Sequence, residues 1–160
     1  MTPNANSAGG ATVGLLNRVP DWEAALILHL RLWCAGPECQ AKVWDGYAQA
    51  LPREEVRDAM RAFDQLIGLI WSYAHRPLIR HALDCNCISL DEAVFARMVR
   101  TATDGPMQDA LLMAALIVPP GYAEAVAQLA GTVGATARQI TAPDRTSSPK
   151  HKAGNVVWLH

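Results

Sequence analysis

Charge is scarce in this chain, and so are long apolar runs. Only 18% of the 160 residues are Asp, Glu, Lys or Arg, and the net charge is −1. Such a balance gives no general electrostatic grip on nucleic acid or on an anionic membrane, so neither is expected as a partner. The longest apolar runs, Ala24–Leu28 and Ala110–Val118, fall well short of the ~20 residues that a membrane-spanning helix requires. Met1–Gly10 has neither a basic stretch nor an apolar core, so no targeting segment is expected there. Four cysteines are too few for a disulfide scaffold. The expectation is a soluble, cytoplasmic protein whose cysteines are free thiols or metal ligands rather than bridges. G-x-S-x-G, G-x-x-x-x-G-K-[ST], H-E-x-x-H and G-x-G-x-x-G are all missing. Their absence points away from an enzyme.

Apolar residues, by contrast, make up 51% of the chain. That excludes disorder over the whole length and suits one domain with a real core. Residues 1–19 show no periodic pattern and read as a flexible leader. Residues 20–141 read as a single helical domain, and 142–160, rich in Pro, Ser, Lys and Gly, as a tail.

The periodicity predicts an all-α fold, an irregular bundle of five to seven helices packed around Trp22–Trp33. Asp21 is placed to cap the first helix, over Trp22–Cys34, which is apolar nearly all round and is expected to be the most buried. Ala35-Gly36-Pro37 stops it, and a second helix follows from about Glu38 to Ala50. Leu51-Pro52-Arg53-Glu54-Glu55 opens a third, with Val56, Met60, Phe63, Ile67 and Ile70 as its apolar stripe. Pro77 ends it near His75. A short helix is expected over Leu78–Leu83, then a turn at Asp84–Cys87. Ser89-Leu90-Asp91-Glu92 is a capping box that opens the next helix. Another helix fits Met107–Ile117 before Pro119-Pro120. The last starts near Tyr122 and is expected to end near Ala130, with Thr136–Thr141 extended, because Gly131 and Gly134 each cost about 1 kcal/mol inside a helix. Ala123, Ala127, Ala130 and Gly134 give it a face of small residues that another helix can approach closely.

Chemistry is concentrated in two cysteine pairs at predicted helix ends or turns, Cys34/Cys39 and Cys85/Cys87. If folding brings the two bends together, four thiolates suit a tetrahedral structural zinc, with His81 able to replace one of them. The spacings, x4 and x1, are not those of a zinc signature. The plain alternative is that Cys34 is a small buried hydrophobe beside Trp33 and the others are free thiols. Cys85 with His81 at i,i+4 would also suit a small metal- or thiol-dependent enzyme. His75 and His81 flank Arg76 and Arg80, a set that suits an anion or, more simply, a helix C-terminus. His29 reads as a hydrogen-bonded core histidine.

Arg53, Arg57 and Arg61 form a stripe, but Glu54, Asp58 and Asp64 dilute it into a salt-bridged exposed face. From Arg138 to Lys152 the chain is basic, and Val156–Leu159 is apolar. A regulator touching DNA through the stripe or the tail is the third alternative. Five tryptophans accompany only two phenylalanines. Trp22, Trp33 and Trp71 fit core positions, whereas Trp44 and Trp158 are candidate partner-binding residues. Taken together, the sequence suggests a non-enzymatic protein-interaction or regulatory helical module, binding a partner protein or its own copy, with zinc as the candidate cofactor.

Overall fold

A computed structural model describes residues 10–142. Among them are six α-helices: α1 (Asp21–Cys34), α2 (Pro37–Ala50), α3 (Arg53–Tyr73), α4 (Leu90–Asp104), α5 (Met107–Ile117) and α6 (Pro120–Thr141). Two short strands, β1 (Thr12–Leu15) and β2 (Cys87–Ser89), form an antiparallel pair. The all-α reading holds, since the strands are a small addition to a helical body.

Most helix boundaries follow from local chemistry. Pro20, Pro52, Pro106 and Pro119 each occupy the N-cap position, where a proline has no N–H to leave unpaired. Asp21 is therefore the first helical residue of α1 and serves its dipole, not its cap. The α4 capping box is complete: Ser89 Oγ accepts from the Glu92 N–H, and the Glu92 carboxylate accepts from the Ser89 N–H. Gly36 joins α1 to α2 at φ +116°, a conformation open to glycine and rarely to any other residue.

The central helix is α6, not α1. It packs against each of the other five helices and buries Ala123, Val126, Ala127, Ala130, Val133, Gly134 and Ala137. Its whole length is helical, so the expected end near Ala130 is corrected, as is the extended stretch over Thr136–Thr141. The physical reason is packing against α4. A Cβ on Gly131 would sit 3.0 Å from the Ala102 carbonyl oxygen, and one on Gly134 would overlap the Thr103 hydroxyl. The two glycines let the backbones of α4 and α6 come together, and that contact outweighs their low helix propensity.

Around α6 the core is built from Leu26, Leu30, Val43, Tyr47, Met60, Phe63, Leu66, Phe95, Met98 and Val99. Trp22 and Trp33 pack on its margin, and Trp71 is 57% exposed, so the core is not centred on tryptophan. Two further expectations are corrected. The leader is ordered from Thr12, because β1 pairs with β2. Leu78–Leu83 is not helical: residues 74–86 form one long connection without regular structure.

Candidate functional site

The connection between α3 and β2 is unusually long for a compact domain, and such loops are either functional or held by specific contacts. This one is held. His75 donates its backbone N–H to the Ile117 carbonyl (2.9 Å), and its Nε2 lies 3.1 Å from the Ala115 carbonyl oxygen. Arg76 forms two 2.7 Å bonds to the Asp91 carboxylate, which also accepts from the Ile79 N–H at 2.6 Å. The Arg76 hydrogen bonds hold the Asp91 carboxyl below its usual range against the opposing effect of burial. Ser89 Oγ donates to the Ile79 carbonyl at 2.6 Å.

The strongest anchor is Arg31, in the last turn of α1 and only 1% exposed. Its Nε donates to Glu92 Oε1 (2.7 Å) and its Nη2 to Glu92 Oε2 (2.9 Å). The remaining N–H groups reach the carbonyls of Ala82 (3.0 Å), Cys85 (2.7 Å) and Cys87 (2.6 Å). A guanidinium has five donors, and here all five are used. Glu92 is equally full, because the His81 and Ser89 N–H groups donate to its two oxygens at 3.2 and 2.9 Å. A buried ion pair with every donor and acceptor satisfied has no capacity left for a substrate. This network fixes the loop, so we assign it no catalysis. Sequence reasoning missed Arg31. The available signal was an arginine within an apolar helix, a position it takes only with a buried partner.

The candidate metal ligands fall into two places. Cys34 ends α1 and Cys39 lies in the first turns of α2, whereas Cys85 and Cys87 flank Asn86 at the start of β2. All four thiols are free and half-buried. Among the described residues, no three His, Cys, Asp or Glu side chains converge on a point that could hold a metal ion. Burial raises the Cys34 thiol, with the nearby Arg80 charge acting in the opposite direction. The Cys87 thiol is raised chiefly by its hydrogen bond with the Cys85 thiol, whereas Thr12 and the Arg31 charge lower it. His81 shares no helical face with Cys85, because the segment between them is not helix. The Nε2 of His81 and the Nε of Arg80 are buried without a partner, and the Arg80 guanidinium lies over the Trp71 ring at 5.2 Å.

His29 stands against Tyr47 and Phe63, with ring centroids 5.5 and 6.4 Å away, and its Nδ1 is buried without a hydrogen bond. The expected hydrogen-bonded histidine is thus an aromatic neighbour instead. On the α3 arginine stripe, Arg61 approaches Asp58 at 3.8 Å, both highly exposed. Trp44 is 43% exposed beside Arg57 and Arg61. Trp158 lies outside the described residues.

One surface stands out by its lack of charge. On α5 the only charged residue is Asp109, and Leu112 and Leu116, one turn apart, are 69% and 72% exposed. Beside them is a groove of about 270 Å³ between α5, the start of α4 and the loop, with Leu78, Leu90, Val94 and Leu116 among its walls. The charged groups on its rim, Arg76 and Asp91, are already paired with each other. Among the described residues no helix is long and apolar enough to cross a membrane. Comparison with known protein families, curated proteins and solved structures finds no match for this chain.

Proposed function

We propose that this protein is a non-enzymatic helical interaction module that acts by pairing with a second copy of itself through the outer face of α5. The observation that carries the reading is the exposure of Leu112 and Leu116 next to an apolar groove. Lone exposed leucines are ordinary, but two at i,i+4 beside a recess lined by Leu78, Leu90 and Val94 form one contiguous patch.

Three features favour a second copy over a foreign protein. The patch holds a projection and a recess side by side, so a two-fold axis can seat the leucines of each copy in the groove of the other. The rim ions are satisfied within the chain and offer no free charge by which a foreign partner would be selected. A net charge of −1 sets up little repulsion between copies. The fold supplies the rigidity such a surface needs, since Arg31 and Asp91 tie the loop wall of the groove to α1 and α4. This reading rests on the α5 surface alone and calls on no metal.

Sedimentation equilibrium across a wide concentration range tests it. The expected result is a monomer–dimer equilibrium for the native chain and a monomer for Leu112→Glu and Leu116→Glu, with unchanged helical circular dichroism. A native chain that stays monomeric at every concentration, or a dimer that survives both substitutions, overturns the reading.

A further inference from the structure

We propose that Cys85 and Cys87 form a dithiol that exchanges with low-molecular-weight disulfides such as oxidised glutathione, closing to an intramolecular disulfide. This inference is independent of the α5 surface. It rests on how the fold holds the Cys85-Asn86-Cys87 bend.

The Cys87 N–H donates to Cys85 Sγ at 3.3 Å, which places that sulfur against the backbone of its partner residue. Both thiols are free and half-buried, so a small disulfide can reach them. Arg31 clamps the bend from below, donating to the Cys85 carbonyl at 2.7 Å and to the Cys87 carbonyl at 2.6 Å. The two residues therefore cannot drift apart as they would in a free chain. The Cys87 thiol shares a hydrogen bond with the Cys85 thiol, which raises it against the opposing Thr12 hydrogen bond and Arg31 charge, so the two sulfurs already lie in contact. The fraction present as thiolate is the form that attacks a disulfide. Cys34 and Cys39 belong to α1 and α2 and have no part in this bend.

The exchange balances in two steps. One thiolate attacks a sulfur of oxidised glutathione, forming a mixed disulfide and releasing one glutathione thiolate. The second cysteine then attacks the mixed disulfide on the protein sulfur and expels the other glutathione. The protein dithiol is oxidised by two electrons, the glutathione disulfide is reduced to two thiols, and the two protein protons pass to them through solvent.

Equilibration of the full chain in glutathione redox buffers, acid quenching and peptide mapping by mass spectrometry provide the test. The expected product is a peptide containing residues 85–87 that has lost two hydrogens, with Cys34 and Cys39 remaining as thiols. Cys85→Ser and Cys87→Ser should each stop at a mixed disulfide with one glutathione on the surviving cysteine. Because the clamp pre-organises the bend, the exchange equilibrium should favour the disulfide at least about tenfold more in the folded chain than in urea, roughly 30 mV in potential. A folded chain that carries only mixed disulfides at Cys85 and Cys87 overturns the proposal. So does an exchange equilibrium equal in the folded and unfolded chains, which would make the bond a property of the tripeptide alone.

Discussion

Arg31 shows how far one side chain can determine the course of a loop. Three of its five bonds end on backbone carbonyls between Ala82 and Cys87, so a side chain, not a backbone ladder, holds this stretch. Replacing it by alanine leaves a buried carboxylate without its cation, so Arg31→Ala should lower stability by about 3–5 kcal/mol. Arg31→Lys should recover only part of that loss, because an ammonium lacks the planar fork that reaches both Glu92 oxygens. Urea unfolding, read from the midpoint at constant slope, checks both. The Glu92 half of this pair was legible through the capping box. The Arg31 half showed only as an arginine within an apolar helix, and its partner, 61 positions away, was not named by any local signal. His29 makes a second case. Burial holds its imidazole below the ordinary value of 6.5, so the folded chain prefers it neutral. Below that value the unfolded chain takes up a proton that the folded chain resists. The His29 contribution to stability is therefore intact above about pH 6.5, and it falls on acidification until the folded imidazole also protonates. The melting temperature should drop as the pH falls below about 6.5, and His29→Phe should flatten that dependence.

Helix ends were readable wherever their signals were local. The Ser89 box, the prolines before α3 and α5, and the Ala35-Gly36-Pro37 break all lie within a few residues of the boundary they set. The errors came where a distant element decided. Propensity alone ends α6 at Gly131, yet α4 lies so close that glycine is the residue that fits there. The glycines within these helices therefore include two kinds with opposite expected responses. Gly131→Ala must push against the Ala102 backbone, and Gly134→Ala against Thr103 and Val99; each should destabilise by about 1–3 kcal/mol. Gly68 is exposed within α3, and a methyl added there would meet nothing within 4 Å, so Gly68→Ala should stabilise by up to about 1 kcal/mol. Thermal melts of the three variants separate steric need from mere tolerance. Equal responses would mean that the α4–α6 contact is looser than its geometry implies.

Five helices arranged around α6 leave α5 at the edge, covered on one side only. That placement gives the run Ala110–Val118 two meanings which the sequence could not separate. Ala110, Ala114, Ile117 and Val118 serve the core, whereas Leu112 and Leu116 serve the surface. The i,i+4 spacing of the leucines was visible, but which side of the helix faced water depended on where α6 and α4 stood. If the outer side closes against a second copy, dimerisation and folding are linked. The melting temperature should then rise with protein concentration, because dissociation accompanies unfolding. Added salt should leave the dissociation constant nearly unchanged, since the surface is apolar and its rim ions are already paired within each chain. In the double variant Leu112→Glu/Leu116→Glu, the melting temperature should no longer depend on concentration. Scanning calorimetry at several concentrations and two ionic strengths measures both effects. A melting temperature that follows salt rather than concentration would place the association on charged groups and remove α5 from it.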